Sequence, residues 1–156
     1  MHPTALDLSD DRIAEAVHTV GQRSYRVEAD LIAFDGIPAL HESLVDMCAE
    51  PLRWLGILDP ATGLPVAFIA YAVGADGTVE IDRLCVDPDW FRKGLARALL
   101  TQLLADNATA DAIVSTGAAN TPAVTLYTRA GFMPAGTSSP APGLEIAHFR
   151  LTRASG

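Results

Sequence analysis

The stretch TVEIDRLCV (78–86) alternates like a β-strand and then changes phase. Val79 and Ile81 are apolar at odd positions, Leu84 and Val86 at even ones. A strand sends successive side chains to opposite faces, so a single buried face slips by one between 81 and 84. One extra residue, a β-bulge at Asp82 or Arg83, restores a common face. A strand buried on both faces, or one that ends early, accounts for the pattern as well. The distinction matters because a bulge splays the strand and frees backbone N–H and C=O groups for a ligand.

Pro88 closes this segment, and DWFRKGLARALL (89–100) follows. The chain carries 11 Lys plus Arg against 19 Asp plus Glu, a formal net charge of −8. Yet Arg92, Lys93 and Arg97 crowd around Gly94, and Lys93 is the sole lysine. Gly94 opens an apolar helix expected to reach about Asp106. The first N–H groups of a helix lack internal partners and sit at the positive end of its dipole, which suits a phosphate. Gly94 and Ala96 let backbone approach a ligand closely. A polar turn that only caps a helix would read the same in isolation. Neither nucleotide fingerprint, G-x-x-x-x-G-K-[ST] or G-x-G-x-x-G, is present.

The rest of the chain reads as one mixed α/β domain over 1–156. Ser9 is the expected N-cap of a first helix, with Ile13, Ala16, Val17 and Val20 at helical spacing. Residues 21–36 continue that helix or form a loop. Pro38 opens a second helix with Leu40, Leu44, Met47 and Cys48 on one face. RWLGIL, PVAFIAYAV and TVEIDRLCV form an antiparallel meander. DAIVST is a buried strand, and a helix is expected from about Pro122 to Ala130. FMPA and EIAHFRL are two last strands joined by a Pro/Gly/Ser-rich loop, 136–143.

Bulk properties exclude several classes. An acidic chain with a pI near 4.7 lacks the basic face that nucleic acid requires. No stretch approaches the roughly 20 apolar residues of a membrane span. The first residues carry no signal-peptide pattern. Cys48 and Cys85 form neither a disulfide framework nor a metal pattern. A cytoplasmic protein without a bound metal is expected.

The basic turn does not stand alone. LCVDPDWFRKGLARALL resembles motif A of the GNAT superfamily of N-acetyltransferases, and NTPAVTLYTRAGF (120–132) resembles its motif B. The resemblance covers about residues 64–133, the expected acetyl-CoA-binding core. The first 60 residues match no motif; in that family such a region is variable and shapes the acceptor site, a role expected here of the helical residues 1–50. The Gln or Arg that usually opens the pyrophosphate loop aligns with Phe91, a departure that puts a side-chain contact there in doubt.

The resemblance implies a mixed, mostly antiparallel sheet of about six or seven strands with helices on both faces, and two splayed parallel strands forming a cofactor slot. It implies acetyl-CoA as co-substrate. Leu84, Cys85 and Val86 would offer backbone groups to the pantetheine arm. Arg92, Lys93, Gly94, Leu95, Ala96 and Arg97 would hold the pyrophosphate. Asn120 and Ala123 would line the arm. Tyr127 would donate a proton to the leaving thiolate, and Glu80 would be the base, with His41 and His148 as weaker alternatives. The implied activity is transfer of an acetyl group to a primary amine of a small molecule or protein N-terminus. The alternative is a non-catalytic acyl-CoA-binding module. The resemblance also leaves room for a homodimer.

Overall fold

A computed structural model describes residues 1–153. One seven-stranded sheet runs through them, in the order β1-β2-β3-β4-β5-β7-β6. The strands are β1 (Thr4–Ala5), β2 (Arg53–Leu58), β3 (Pro65–Val73), β4 (Val79–Val86), β5 (Ala112–Gly117), β6 (Met133–Ala141) and β7 (Leu144–Leu151). The helices are α1 (Asp11–Ile32), α2 (Leu44–Ala49), α3 (Leu95–Asp106) and α4 (Thr121–Arg129). Each neighbouring pair is antiparallel except β4 with β5, which is parallel.

Two cores lie against the two faces of the sheet. On one, Leu99, Leu100 and Leu103 of α3 and Tyr127 of α4 pack on Ile69, Val79, Ile81 and Val114. On the other, Val17, Val20, Tyr25 and Ala29 of α1 pack on Phe68, Ala70 and Cys85. α1 thus settles the ambiguity at 21–36: the buried stripe continues through Gly21, Tyr25 and Ala29 as far as Ile32. Its N-cap is Asp10, whose side chain accepts from the Arg12 N–H; Ser9 instead bonds Asp7.

The phase slip in β4 is a bulge. Ala70 pairs with Arg83 and Tyr71 with Ile81, so Asp82 is the unpaired extra residue. Val79, Ile81, Leu84 and Val86 consequently share the α3 face, and Cys85 faces α1.

Other expectations are corrected. Pro38 begins only a 3-10 turn, Pro38–His41, and the helix proper starts after the Ser43 cap. Leu40 and Met47 are buried as expected, but Cys48 is exposed. The 136–143 segment is mostly strand: β6 extends to Ala141, leaving a tight turn before β7. β6 lies at the sheet edge, where a proline costs no ladder bond, and its pairing with β7 shifts register twice.

Candidate acyl-transfer site

β4 and β5 pair only through Val79–Ala112, Glu80–Ile113 and Ile81–Val114. Beyond the bulge, β4 continues to Val86 and β5 to Gly117 without pairing. Between them opens a slot of about 180 Å³, floored by Ile81 to Leu84 and Val114 to Thr116. Tyr25 and Glu28 of α1 wall one side, and Asn120, Ala123 and Tyr127 of α4 the other.

Which backbone groups of β4 face the slot follows from the ladder. The Asp87 N–H donates to the Val66 carbonyl at 2.8 Å. In an antiparallel pair, hydrogen-bonded and non-hydrogen-bonded partners alternate. Cys85, opposite Phe68, is therefore committed to β3, whereas Leu84 and Val86 turn their N–H and C=O toward β5. Of the three residues expected to offer backbone to a ligand, two are free to do so and Cys85 is not. The Cys85 side chain is buried under α1, and burial pushes its thiol pKa up to about 12.

At the end of β4 the chain is pinned. Asp87, 8% exposed, accepts from the Asp89 N–H and from Arg23 of α1 at 2.6 Å. Two left-handed residues follow, Arg92 at φ 63° and Gly94 at φ 77°. Gly94 starts α3 with no side-chain cap. Among the described residues, the N–H groups of 92 to 97 find no protein acceptor. Arg92, Lys93 and Arg97 are exposed around them, and Leu95 turns inward to the core. A cradle of unpartnered amides with three free cations suits a pyrophosphate. Phe91 projects into solvent, 41% exposed.

Tyr127 reaches the slot from α4, packed edge-on against Phe132 at 5.6 Å. Burial raises its phenol pKa well above the ordinary value, so it remains protonated. The Asn120 side chain caps α4 by accepting from the Ala123 N–H at 3.3 Å. Glu80 is not brought to this group. It is exposed and sits where β4 and β5 are still paired, before the slot opens.

Two acidic residues line the slot: Asp82, whose carboxylate is paired with Arg83 at 2.6 Å, and Glu28, whose pKa burial raises despite an opposing contact with Asn120. The readable signal for Glu28 was its place on the helix face of Gly21 and Tyr25, a half-buried acid bordering the buried stripe. His41 and His148 are tied elsewhere. His41 Nε2 meets the Asp35 carbonyl at 2.8 Å, and His148 is held between the Ser115 and Ser138 hydroxyls. Among the described residues, no cluster of His, Cys, Asp and Glu is arranged to hold a metal ion, and no helix is long and apolar enough to cross a membrane.

A mixed sheet whose two parallel strands part beside an uncapped helix is the GNAT fold. Residues 24–132 match the acetyltransferase (GNAT) family, and the chain belongs to that family. It is 41% identical over 140 residues to UPF0157 protein YqkA of Bacillus subtilis (strain 168), a match covering 89% of this chain and 40% of that protein. The chain thus spans about two fifths of that relative's length. Among solved structures it resembles the ribosomal-protein-S18-alanine N-acetyltransferase from Escherichia coli, with TM-score 0.75 and 22% identity over 99% of this chain and 94% of that one. It also resembles the PaiA N-acetyltransferase from Thermoplasma acidophilum in complex with coenzyme A, with TM-score 0.69 and 14% identity over 99% and 100%. Both likenesses are of fold.

Proposed function

We propose that the chain is an acetyl-CoA-dependent N-acetyltransferase acting on a primary amine of a small molecule or a protein N-terminus. The observation that carries this reading is the make-up of the slot. Glu28 and Tyr127 line the opening between the parted strands, and the β4 edge that borders it leads in sequence to the unpartnered amides at 92–97. Acetyl-CoA supplies an acyl group already activated as a thioester. The amides of 92–97, with Arg92, Lys93 and Arg97, hold the pyrophosphate. Leu84 and Val86 bond the pantetheine arm through backbone, and Asn120 and Ala123 line it.

Two side chains handle protons. An amine must lose its proton before it can attack, and a thiolate needs one as it leaves. Glu28, a half-buried carboxylate with a raised pKa, is suited to the first task. Tyr127, held protonated by burial, is suited to the second. Glu80, expected as the base from family resemblance, is exposed on the paired part of β4 and is not among the residues that line the slot. A module that only binds acyl-CoA has no use for a half-buried acid beside a buried phenol, and this favours the enzyme.

Isothermal titration with acetyl-CoA tests the binding half, with saturable one-site binding expected. A thiol-release assay over primary amines and peptides with free N-termini tests the other half. Absence of binding by a folded sample would refute the reading. Binding without thiol release on any amine would leave the acyl-CoA-binding module in its place.

A further inference from the structure

Arg23 takes no part in the proton chemistry, yet it reaches from α1 to the entry of the basic loop. Its Nη1 donates to Asp87 Oδ2 at 2.6 Å, and its Nη2 lies 3.4 Å from Asp89 Oδ2. Both carboxylates stand directly after β4. The Arg23 side chain is 45% exposed, and an ion pair so open to water adds little to stability. Its partner gives the contact its weight. The Asp87 side chain is largely buried, and its Oδ1 accepts from the Asp89 N–H at 2.9 Å. Asp87 therefore ties the turn Pro88–Trp90 to β3 through its backbone and to α1 through its side chain.

The loop needs such a hold. Arg92, at φ 63°, is a non-glycine residue in the left-handed region, which carries an intrinsic cost. Strain of this kind persists only where the surroundings enforce it. At the far end, Leu95 is buried in the α3 core. Between the two ends, no protein acceptor among the described residues holds the N–H groups of 92–94. The near anchor is Asp87, and the side chain that grips it is Arg23.

We infer that Arg23 is a positioning residue for the cofactor: acting through Asp87, it keeps residues 88–94 in the strained form that leaves the loop amides open to pyrophosphate. This rests on the reading that the amides of 92–97 take the pyrophosphate of acetyl-CoA. Without the guanidinium the free loop relaxes, and binding must restore the left-handed Arg92. Glu28 lies five residues beyond Arg23 on the same helix. One helix thus carries both the hold on the cofactor loop and the proposed base.

Titration calorimetry with acetyl-CoA compares the wild type with Arg23→Met, which keeps an unbranched stem and removes the charge. Affinity should fall roughly tenfold, the worth of the strain in one left-handed non-glycine residue. Arg23→Lys keeps a cation for Asp87 and should recover most of that loss. Arg150→Met is the control. Arg150 is also 45% exposed and pairs with Asp111 at 2.8 Å, at the opposite end of β4, where the Asp111 carbonyl accepts from the Val79 N–H. This variant should leave acetyl-CoA affinity unchanged, whatever it costs in melting temperature. Should Arg23→Met not fold, Arg23→Met with Asp87→Asn removes the stranded charge and keeps an acceptor for the Asp89 N–H, and it should show the same weakening. A merely structural arginine would lower the melting temperature alone. Wild-type affinity in the folded Arg23 variant, or an equal weakening by Arg150→Met, overturns the inference. Absence of binding by the wild type refutes the coenzyme A reading itself, a distinct outcome.

Discussion

Replacing Gly94 with alanine isolates what the left-handed turn before α3 does. Gly94 sits at φ 77°, and a Cβ built there meets no heavy atom within 4 Å. The substitution therefore introduces no clash, only the intrinsic cost of a left-handed alanine, about 1–2 kcal/mol. If the loop keeps its conformation, that cost appears as lost stability, a drop of roughly 2–8 °C in Tm for a chain of this size. If the free loop relaxes, Tm is spared and the cost returns on binding, as an affinity for acetyl-CoA weaker by about 5- to 30-fold. The two losses together should account for the strain.

Gly77 provides a matched control. It lies at φ 84°, also with nothing within 4 Å of an added Cβ, but in the β3–β4 turn at the opposite end of β4. Gly77→Ala should cost comparable stability and leave acetyl-CoA affinity unchanged. Calorimetric titration and thermal melts of both variants check the pair. The reasoning fails if Gly94→Ala alters neither Tm nor affinity, or if Gly77→Ala weakens binding as much.

Glu28→Gln should lower kcat about 100-fold, the low end for loss of a general base, with acetyl-CoA affinity retained. The fold holds this carboxyl's proton more tightly than the unfolded chain does, so its stabilising contribution is present at low pH and is lost as pH rises through the folded pKa. Melts across pH should accordingly show Glu28→Gln at least as stable as the wild type at pH 7, the gap closing on acidification. The acid limb of the pH–rate profile should also disappear. Tyr127→Phe preserves the packing on Phe132 and Phe149, so kcat should fall on an identified amine while Tm holds; full turnover would remove Tyr127 from the proton-donor role. Arg83→Ala strands Glu42, whose side chain is 14% exposed, and should cost about 3–5 kcal/mol in denaturant unfolding. The apolar pair Arg83→Met with Glu42→Leu should recover most of that loss.

What was legible in the chain was what short-range periodicity and local motifs encode. The slip between Ile81 and Leu84 has one physical resolution once both ends of β4 bury the same face, and the extra residue is Asp82. The basic turn at 92–97 was readable because Gly94 and the helix it opens are contiguous in sequence. The proline-rich run 136–143 misled because proline argues against a central strand, and nothing local reveals that β6 lies at an edge. For Glu80 the neighbours define a strand, but where pairing with β5 ceases depends on residues more than 30 positions away. Glu28 and Tyr25 reach the slot only because α1 packs across β4, a contact between segments with no shared local pattern. Their helix was visible as an amphipathic stripe, and the acid bordering that stripe was the one available sign. The candidate cofactor half is thus a contiguous strand, turn and helix, which local pattern can reveal. Of the proposed proton-handling pair, Tyr127 lies within a local motif, whereas Glu28 joins it only through tertiary packing.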